Sequence, residues 1–240
     1  MFFSVKLSSY MDERSVALEG RKCAVLICDA WNAHWCGAAK ARMDELAPKI
    51  EEFLRSARAL DLHVIHSPSG TMAFYTNYSQ RRRAKRFVEI PTFDPAPAER
   101  EWPMTPVKGQ GEPCKGAADA IPARIFREHL SISVGPHDII SDDVNEIMTY
   151  VRQARIETVF FCGVHMNMCV LDNPFGIKNM SRYGISCVLL RDLTDPIFCP
   201  IRYPSLTQEE GKRLIAEFIE RHICPTALAD DLEEATCDRR

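Results

Sequence analysis

Five short, nearly continuous apolar segments, separated by helix-length amphipathic stretches, constrain this chain more than any other feature. They are CAVLICD (23–29), LHVIHS (62–67), HDIIS (137–141), ETVFFCG (157–163) and ISCVLLRD (185–192). Each is rich in β-branched or aromatic residues and too short for a buried helix, so each is predicted to be a strand. Between the first two, Leu46, Ile50, Phe53, Leu54 and Ala57 recur at helical spacing and predict a helix over about residues 38–60. Further helices are expected after the third strand to about residue 154, from the turn after the fourth to about Gly184, and over about residues 208–222. Strands that are apolar on both faces need cover on both sides, which amphipathic crossover helices supply in a parallel sheet. The expected fold is α/β: a three-layer, doubly wound (Rossmann-like), mostly parallel sheet with helices on both faces, forming one domain over residues 1–240.

Residues 68–136 break this rhythm and read as an insertion. Seven of the fifteen prolines lie between Pro91 and Pro122, with Gly109, Gly111 and Gly116 among them. Proline fixes φ and lacks an N–H, so this stretch is neither a regular helix nor a central strand. Connections of this length are typically functional lids or disordered loops. Within the insertion, Arg81, Arg82, Arg83, Lys85 and Arg86 form a basic run, read as a solvated helix face, with anion recognition or a subunit contact as the alternative.

Composition excludes several classes of function. A net charge of -3 gives no electrostatic reason to bind nucleic acid or an anionic membrane. The longest apolar runs fall far short of the roughly 20 residues that span a bilayer. The N-terminus has no basic stretch followed by a sustained apolar one, so a cytoplasmic location is expected. The ten cysteines are scattered without a CxxC pair, which argues against a zinc ribbon or a thioredoxin-type centre. Cys23, Cys28, Cys162 and Cys187 fall in strand segments, where cysteine behaves as a small hydrophobe.

Ligands of open parallel sheets bind beyond the carboxyl ends of the strands. The first strand ends at Asp29 and leads into AWNAHWC, with Trp31, Asn32, His34, Trp35 and Cys36. The second ends at His66, the third at Ser141, Asp142 and Asp143, and the fifth at Asp192, with Asp195 close by. Asp192 and Asp195 are expected to fix the loop that follows. The fourth strand leads through Gly163 into HMNMCV, which carries His165, Asn167 and Cys169. A thiol in the first turn of a helix faces free N–H groups and the positive end of the dipole, both of which favour thiolate. Cys169 is therefore the candidate nucleophile. Trp31, His34, His66, Tyr75 and Asn167 are the candidate substrate-binding residues.

Over about residues 20–195 the chain resembles the isochorismatase-like cysteine hydrolases, a family that includes nicotinamidases and carbamoyl-amide hydrolases. The segment GVHMNMCV resembles the family's G-V-x-T-x-x-C-V, with Gly163, Val164, Cys169 and Val170 in register and Met166 where threonine is usual. IHSPSGTMAFY, NMCVLDNPFGIKNM, RDLTDP and CPTALADD look like one branch of that family. The resemblance implies hydrolysis of a C–N bond in a small amide, with Cys169 as nucleophile, Asp29 as general base and backbone N–H groups of the 165–169 turn around the oxyanion. It also implies a non-proline cis peptide at Val164–His165 and a homo-oligomer.

The resemblance further implies a triad lysine after the third strand, but HDIISDDVNEIMTYVRQARIE contains none. Asp142 and Asp143 fall about where it is expected. His165 and His34 are the nearest substitutes, with Lys40, Lys108 and Lys115 as further basic groups. No cofactor is expected. Nicotinamidase-type members bind a divalent metal after the second strand, where this chain has only His66; a set of Asp29, His34, His66 and His165 is the remaining route to a metal. The alternative from a different class is a catalytically silent member that binds a small ligand or a partner protein.

Overall fold

The computed structural model describes residues 1–10, 12–87, 93, 124–198, 200 and 204–234. Its strands are β1 (Phe2–Ser9), β2 (Asp12–Glu19), β3 (Cys23–Cys28), β4 (His63–Ser67), β5 (Ile139–Ile140), β6 (Thr158–Val164), β7 (Ser186–Asp195), β8 (Thr226–Ala227) and β9 (Leu232–Glu234). Its helices are α1 (Gly37–Ala59), α2 (Ser79–Ala84), α3 (Val144–Gln153), α4 (Cys169–Asp172), α5 (Ile177–Arg182) and α6 (Gln208–His222). The strands form one sheet in the order β2-β1-β8-β7-β6-β3-β4-β5, with β9 also paired to β1. From β8 to β5 all neighbours are parallel; the β1–β2 hairpin is antiparallel and closes one edge.

Alternation within the strands builds two cores. Ala24 and Leu26 of β3 and Val159 and Phe161 of β6 face a cluster with Ile147, Met148 and Val151 of α3 and Ile215 and Ile219 of α6. The intervening Val25, Ile27, Phe160 and Cys162 face Met43, Leu46, Ile50, Phe53 and Leu54 of α1. This is the three-layer arrangement that the run of fully apolar strands predicts. The β1–β2 hairpin lies outside the predicted strands; Phe3 and Val5 join the second core from it.

Three elements differ from the reading of the sequence. The helix expected after Cys169 is two short ones, because Asn173–Pro174 interrupts it and Pro174 cannot continue the hydrogen-bond ladder. Strand β7 runs on to Asp195, past a bulge that takes its pairing with β6 from Phe161↔Leu189 to Gly163↔Thr194. The basic run is a solvated face only in part: Arg82, Lys85 and Arg86 are exposed, whereas Arg81 is buried and paired with Glu146, and Arg83 donates to the carbonyls of Asp138 and Pro136 at 3.0 and 2.9 Å. It pins α2 to the β5–α3 region. The proline-rich centre of the insertion lies outside the described residues.

Gly163 brings the two central strands together at their carboxyl ends. It has φ +102°, and a Cβ there would stand 2.0 Å from the Cys28 carbonyl oxygen. Gly163→Ala therefore combines a left-handed backbone with a backbone clash, and is expected to destabilise the fold by about 3 kcal/mol. A urea melt that moves by less than ~1 kcal/mol would show that the two strand ends are less tightly apposed than described.

Candidate active site

The chain leaves β3 toward β4 and β5 on one side, whereas β6 returns to the other side of β3 and continues to β7 and β8. The switch point lies between β3 and β6, where a doubly wound sheet opens a crevice. Asp29 directly follows β3 and Cys169 follows the turn after β6, so the topology brings these two residues to the same place. Asp29 has φ +50°, and its N–H donates to the Ser67 carbonyl at 3.1 Å. Its Oδ1 accepts the Ser69 N–H at 2.7 Å, and its Oδ2 accepts from Asn173 Nδ2 at 3.4 Å. The Cys169 thiol is paired with the same carboxylate. Burial raises the Asp29 pKa, opposed by the interactions with Cys169, Ser69 and Asn173.

The sulfur is not the helix-stabilised thiolate that the sequence suggests. Burial first, and then the adjacent Asp29 charge, push the Cys169 thiol well above its ordinary value. The N–H groups of His165 and Cys169 point toward the sulfur and act the other way, but α4 is a single turn and its contribution is the smaller one. Both causes favour the protonated thiol, so at neutral pH the proton stays on sulfur.

No basic nitrogen contacts this pair among the described residues. Of the acids near the expected lysine position, Asp142 accepts the Gly70 N–H at 2.9 Å, and Asp143 caps α3 through the N–H groups of Asn145 and Glu146. Lys40 pairs with Asp44, one turn along α1. Lys108 and Lys115 lie outside the described residues.

The histidines do not supply the cation either. His34 and His165 lie with their Nε2 atoms 2.8 Å apart, and both are buried. Burial lowers their pKa values, to about 4 for His34 and about 3 for His165, so both rings are neutral at pH 7. His66, expected to line the pocket, is instead held inside the protein. Its Nδ1 is 2.7 Å from Glu128 and its Nε2 is 3.0 Å from Asp138, which leaves no ring nitrogen for a ligand. Tyr75 is likewise buried, its hydroxyl accepting the Glu128 N–H at 2.7 Å.

Asn167 uses both ends of its amide on the Ile197 backbone, at 3.2 and 2.9 Å. Trp31 stays partly exposed near the pair, its Nε1 donating to the Ser69 carbonyl at 3.2 Å, and its ring lies 6.1 Å from that of Trp35. The Val164–His165 peptide is cis. Asp29, His34, His66 and His165 do not assemble as a metal site, since His66 is committed to two carboxylates and His34 and His165 to each other. Among the described residues no group of three or more His, Cys, Asp or Glu side chains is placed to hold a metal ion.

Two residues of the site were not anticipated. Ser69 follows β4 and contributes a short backbone hydrogen bond to Asp29; the SPSG turn immediately after the second strand was its available signal. Asn173, one helical turn beyond Cys169, reaches both Asp29 and the Ser69 hydroxyl at 3.4 Å. Its spacing of four residues from the cysteine puts it on the same side of the turn.

No protein-family model and no curated protein matches the sequence. Solved structures do. A cysteine hydrolase from Pseudomonas syringae pv. phaseolicola 1448A superimposes with a TM-score of 0.57 at 14% identity, covering 89% of this chain and 92% of that one. An isochorismatase from Pseudomonas putida KT2440 gives 0.51 at 13% identity, covering 90% and 92%. An isochorismatase-like hydrolase from Alkaliphilus metalliredigens gives 0.50 at 14% identity, covering 87% and 94%. The chain has the isochorismatase-like cysteine hydrolase fold. At such identities the likeness is one of fold, and the chemistry has to be argued from the site. No helix among the described residues is long and apolar enough to cross a membrane.

Proposed function

We propose that the protein hydrolyses a C–N bond of a small amide, with Cys169 as nucleophile and Asp29 as its base. The observation that carries this reading is the pairing of a buried carboxylate with a thiol at the topological switch point. Asp29 takes the thiol proton as sulfur attacks the carbonyl carbon, and the charge that develops on oxygen lies near the N–H groups of His165 and Cys169. The C–N bond breaks, the departing amine takes the proton back from Asp29, and a thioester remains. Water then attacks the thioester with Asp29 again as base, releasing the acid and the free thiol. The route uses protein groups and water alone. A panel of small primary amides tests it: the unsubstituted chain should release ammonia from at least one member, and Cys169→Ala from none. Equal release by the two proteins would end the proposal.

The second reading, a silent member that binds a ligand or a partner, is favoured by the lack of a cation at the pair among the described residues. Thiol chemistry separates the two. Cys23, Cys28, Cys36, Cys162, Cys187 and Cys224 are buried, whereas Cys169 is partly exposed. An active site predicts that iodoacetamide labels Cys169 faster than accessibility alone explains, and that the excess disappears when Asp29 is replaced.

A further inference from the structure

We propose that His34 and His165 form a tautomer-locked pair whose role is to hold the His165 backbone N–H against the Cys169 sulfur. The protons can be placed one after another along the chain of contacts. The Cys36 N–H donates to His34 Nδ1 at 3.0 Å, so in a neutral ring the His34 proton sits on Nε2. That Nε2–H faces His165 Nε2 across 2.8 Å, with the two rings edge-on at 89°, so the His165 nitrogen accepts. The His165 proton is then on Nδ1, which donates to the Asp195 carbonyl at 3.3 Å. The reverse arrangement would set a His34 Nδ1–H against the Cys36 N–H, donor against donor.

Each end of this chain is anchored. The His34 ring stacks on Trp35 with centroids 3.9 Å apart. The Asp195 carbonyl also accepts the Met166 N–H at 2.9 Å, while both oxygens of its carboxylate share the Arg42 Nε–H, at 2.9 and 3.0 Å. No ring nitrogen of either histidine is left to exchange a proton with a substrate, so neither acts as acid or base. What the pair fixes is His165 itself, whose N–H is one of the two aimed at the sulfur. His34 and His165 are thus positioning residues, acting on the reaction through the turn that carries Cys169.

The catalytic part of this role rests on the reading of Cys169 as a nucleophile; the tautomers do not. Long-range nitrogen–proton NMR of the imidazoles at pH 7 tests the tautomers directly. His34 should show a protonated Nε2 and a bare Nδ1, and His165 the opposite. A charged ring or the reversed tautomer in either histidine would overturn the pair. Iodoacetamide labelling of Cys169 tests its role. His34→Leu removes the donor and is expected to slow labelling at least tenfold, whereas His34→Gln retains an N–H for His165 Nε2 and should stay within threefold of the unsubstituted chain. Equal rates for the Leu variant and the unsubstituted chain would refute the positioning role. If Cys169 of the unsubstituted chain labels no faster than its buried thiols, the nucleophile reading and the catalytic role both fall, and the NMR assignment is judged separately.

Discussion

Asp29→Asn is expected to slow both amide turnover and the alkylation of Cys169 by 10²–10³-fold, a typical range for the loss of a general base. The sign of this effect is informative, because two consequences of the substitution oppose each other. Removing the carboxylate charge removes a cause of the raised thiol pKa, which by itself would generate more thiolate and speed alkylation. Removing the base takes away the group that accepts the proton during attack, which slows it. The thiol starts far above neutral, so most of it remains protonated at pH 7 even without Asp29, and loss of the base should dominate. Faster labelling in Asp29→Asn would mean that the carboxylate only restrains the thiol, and the hydrolytic mechanism would have to be abandoned.

The pH profile carries the same information. In the unsubstituted chain the rate should rise as Asp29 ionises, above the usual carboxylate range because burial raises its pKa. It should then stay level through neutral and mildly alkaline pH, since the thiol ionises far above that range. A thiolate–cation pair would instead give a bell. In Asp29→Asn the plateau should vanish and labelling should simply climb with thiol ionisation. Far-UV circular dichroism of the variant checks that the loss is chemical, since Asn keeps an acceptor for the Ser69 N–H.

The fold was legible because its signal is local and repeated. Each parallel strand from β3 to β7 lies on an apolar run, and the helix spacing of Leu46, Ile50, Phe53 and Leu54 matches the face that α1 buries. The β1–β2 hairpin was missed because one strand of it, DERSVALE, is mostly exposed and carries almost no apolar signal. The positions of Asp29 and Cys169 were legible because a strand end is a topological fact. Side-chain roles were not, because partners distant in sequence decide them. His66 ends a strand as Asp29 does, yet Glu128 and Asp138, 62 and 72 residues away, claim both of its nitrogens. The run of arginines gave no sign that Arg81 turns inward for the same reason, since Glu146 lies 65 residues from Arg81. The charge state of Cys169 depended on burial, which the position of a helix start does not reveal.

His66→Leu is expected to be the most damaging substitution away from the thiol, costing about 3–5 kcal/mol, the range for breaking a buried ion pair from one side. The ring lies fully inside, between two carboxylates that differ in their other support. Asp138 retains Arg58 at 2.7 Å and the Gly135 N–H at 2.6 Å. Glu128 has no such reserve: one of its carboxylate oxygens is buried without a partner, and the other meets His66. The loss would reach the active site through the backbone. Glu128 bridges to Trp31, the His129 N–H donates to the Ala30 carbonyl at 2.7 Å, and the Asn32 N–H donates to the Arg127 carbonyl at 3.0 Å. A loosened Glu128 therefore loosens the loop that follows Asp29.

The linkage between His66 and pH makes the prediction specific. Burial works to lower the His66 pKa, but Glu128 and Asp138 outweigh it and raise it to about 9. A histidine raised from about 6.5 contributes fully below that pH, and its contribution drains away as pH rises toward 9. One extra proton on the folded state costs about 1.4 kcal/mol per pH unit, so roughly 2 kcal/mol should be lost between pH 6.5 and 8. His34 and His165 have the opposite sign. Their pKa values are depressed to about 4 and about 3, so their contributions hold above pH 6.5 and are lost as pH falls. Stability should therefore peak near pH 6.5 and fall on both sides. Urea melts from pH 5 to 8, below the range where the buried thiols begin to matter, separate the limbs: His66→Leu should flatten the alkaline one and leave the acid one in place. An alkaline limb that survives the substitution unchanged would show that His66 is not protonated in the folded chain.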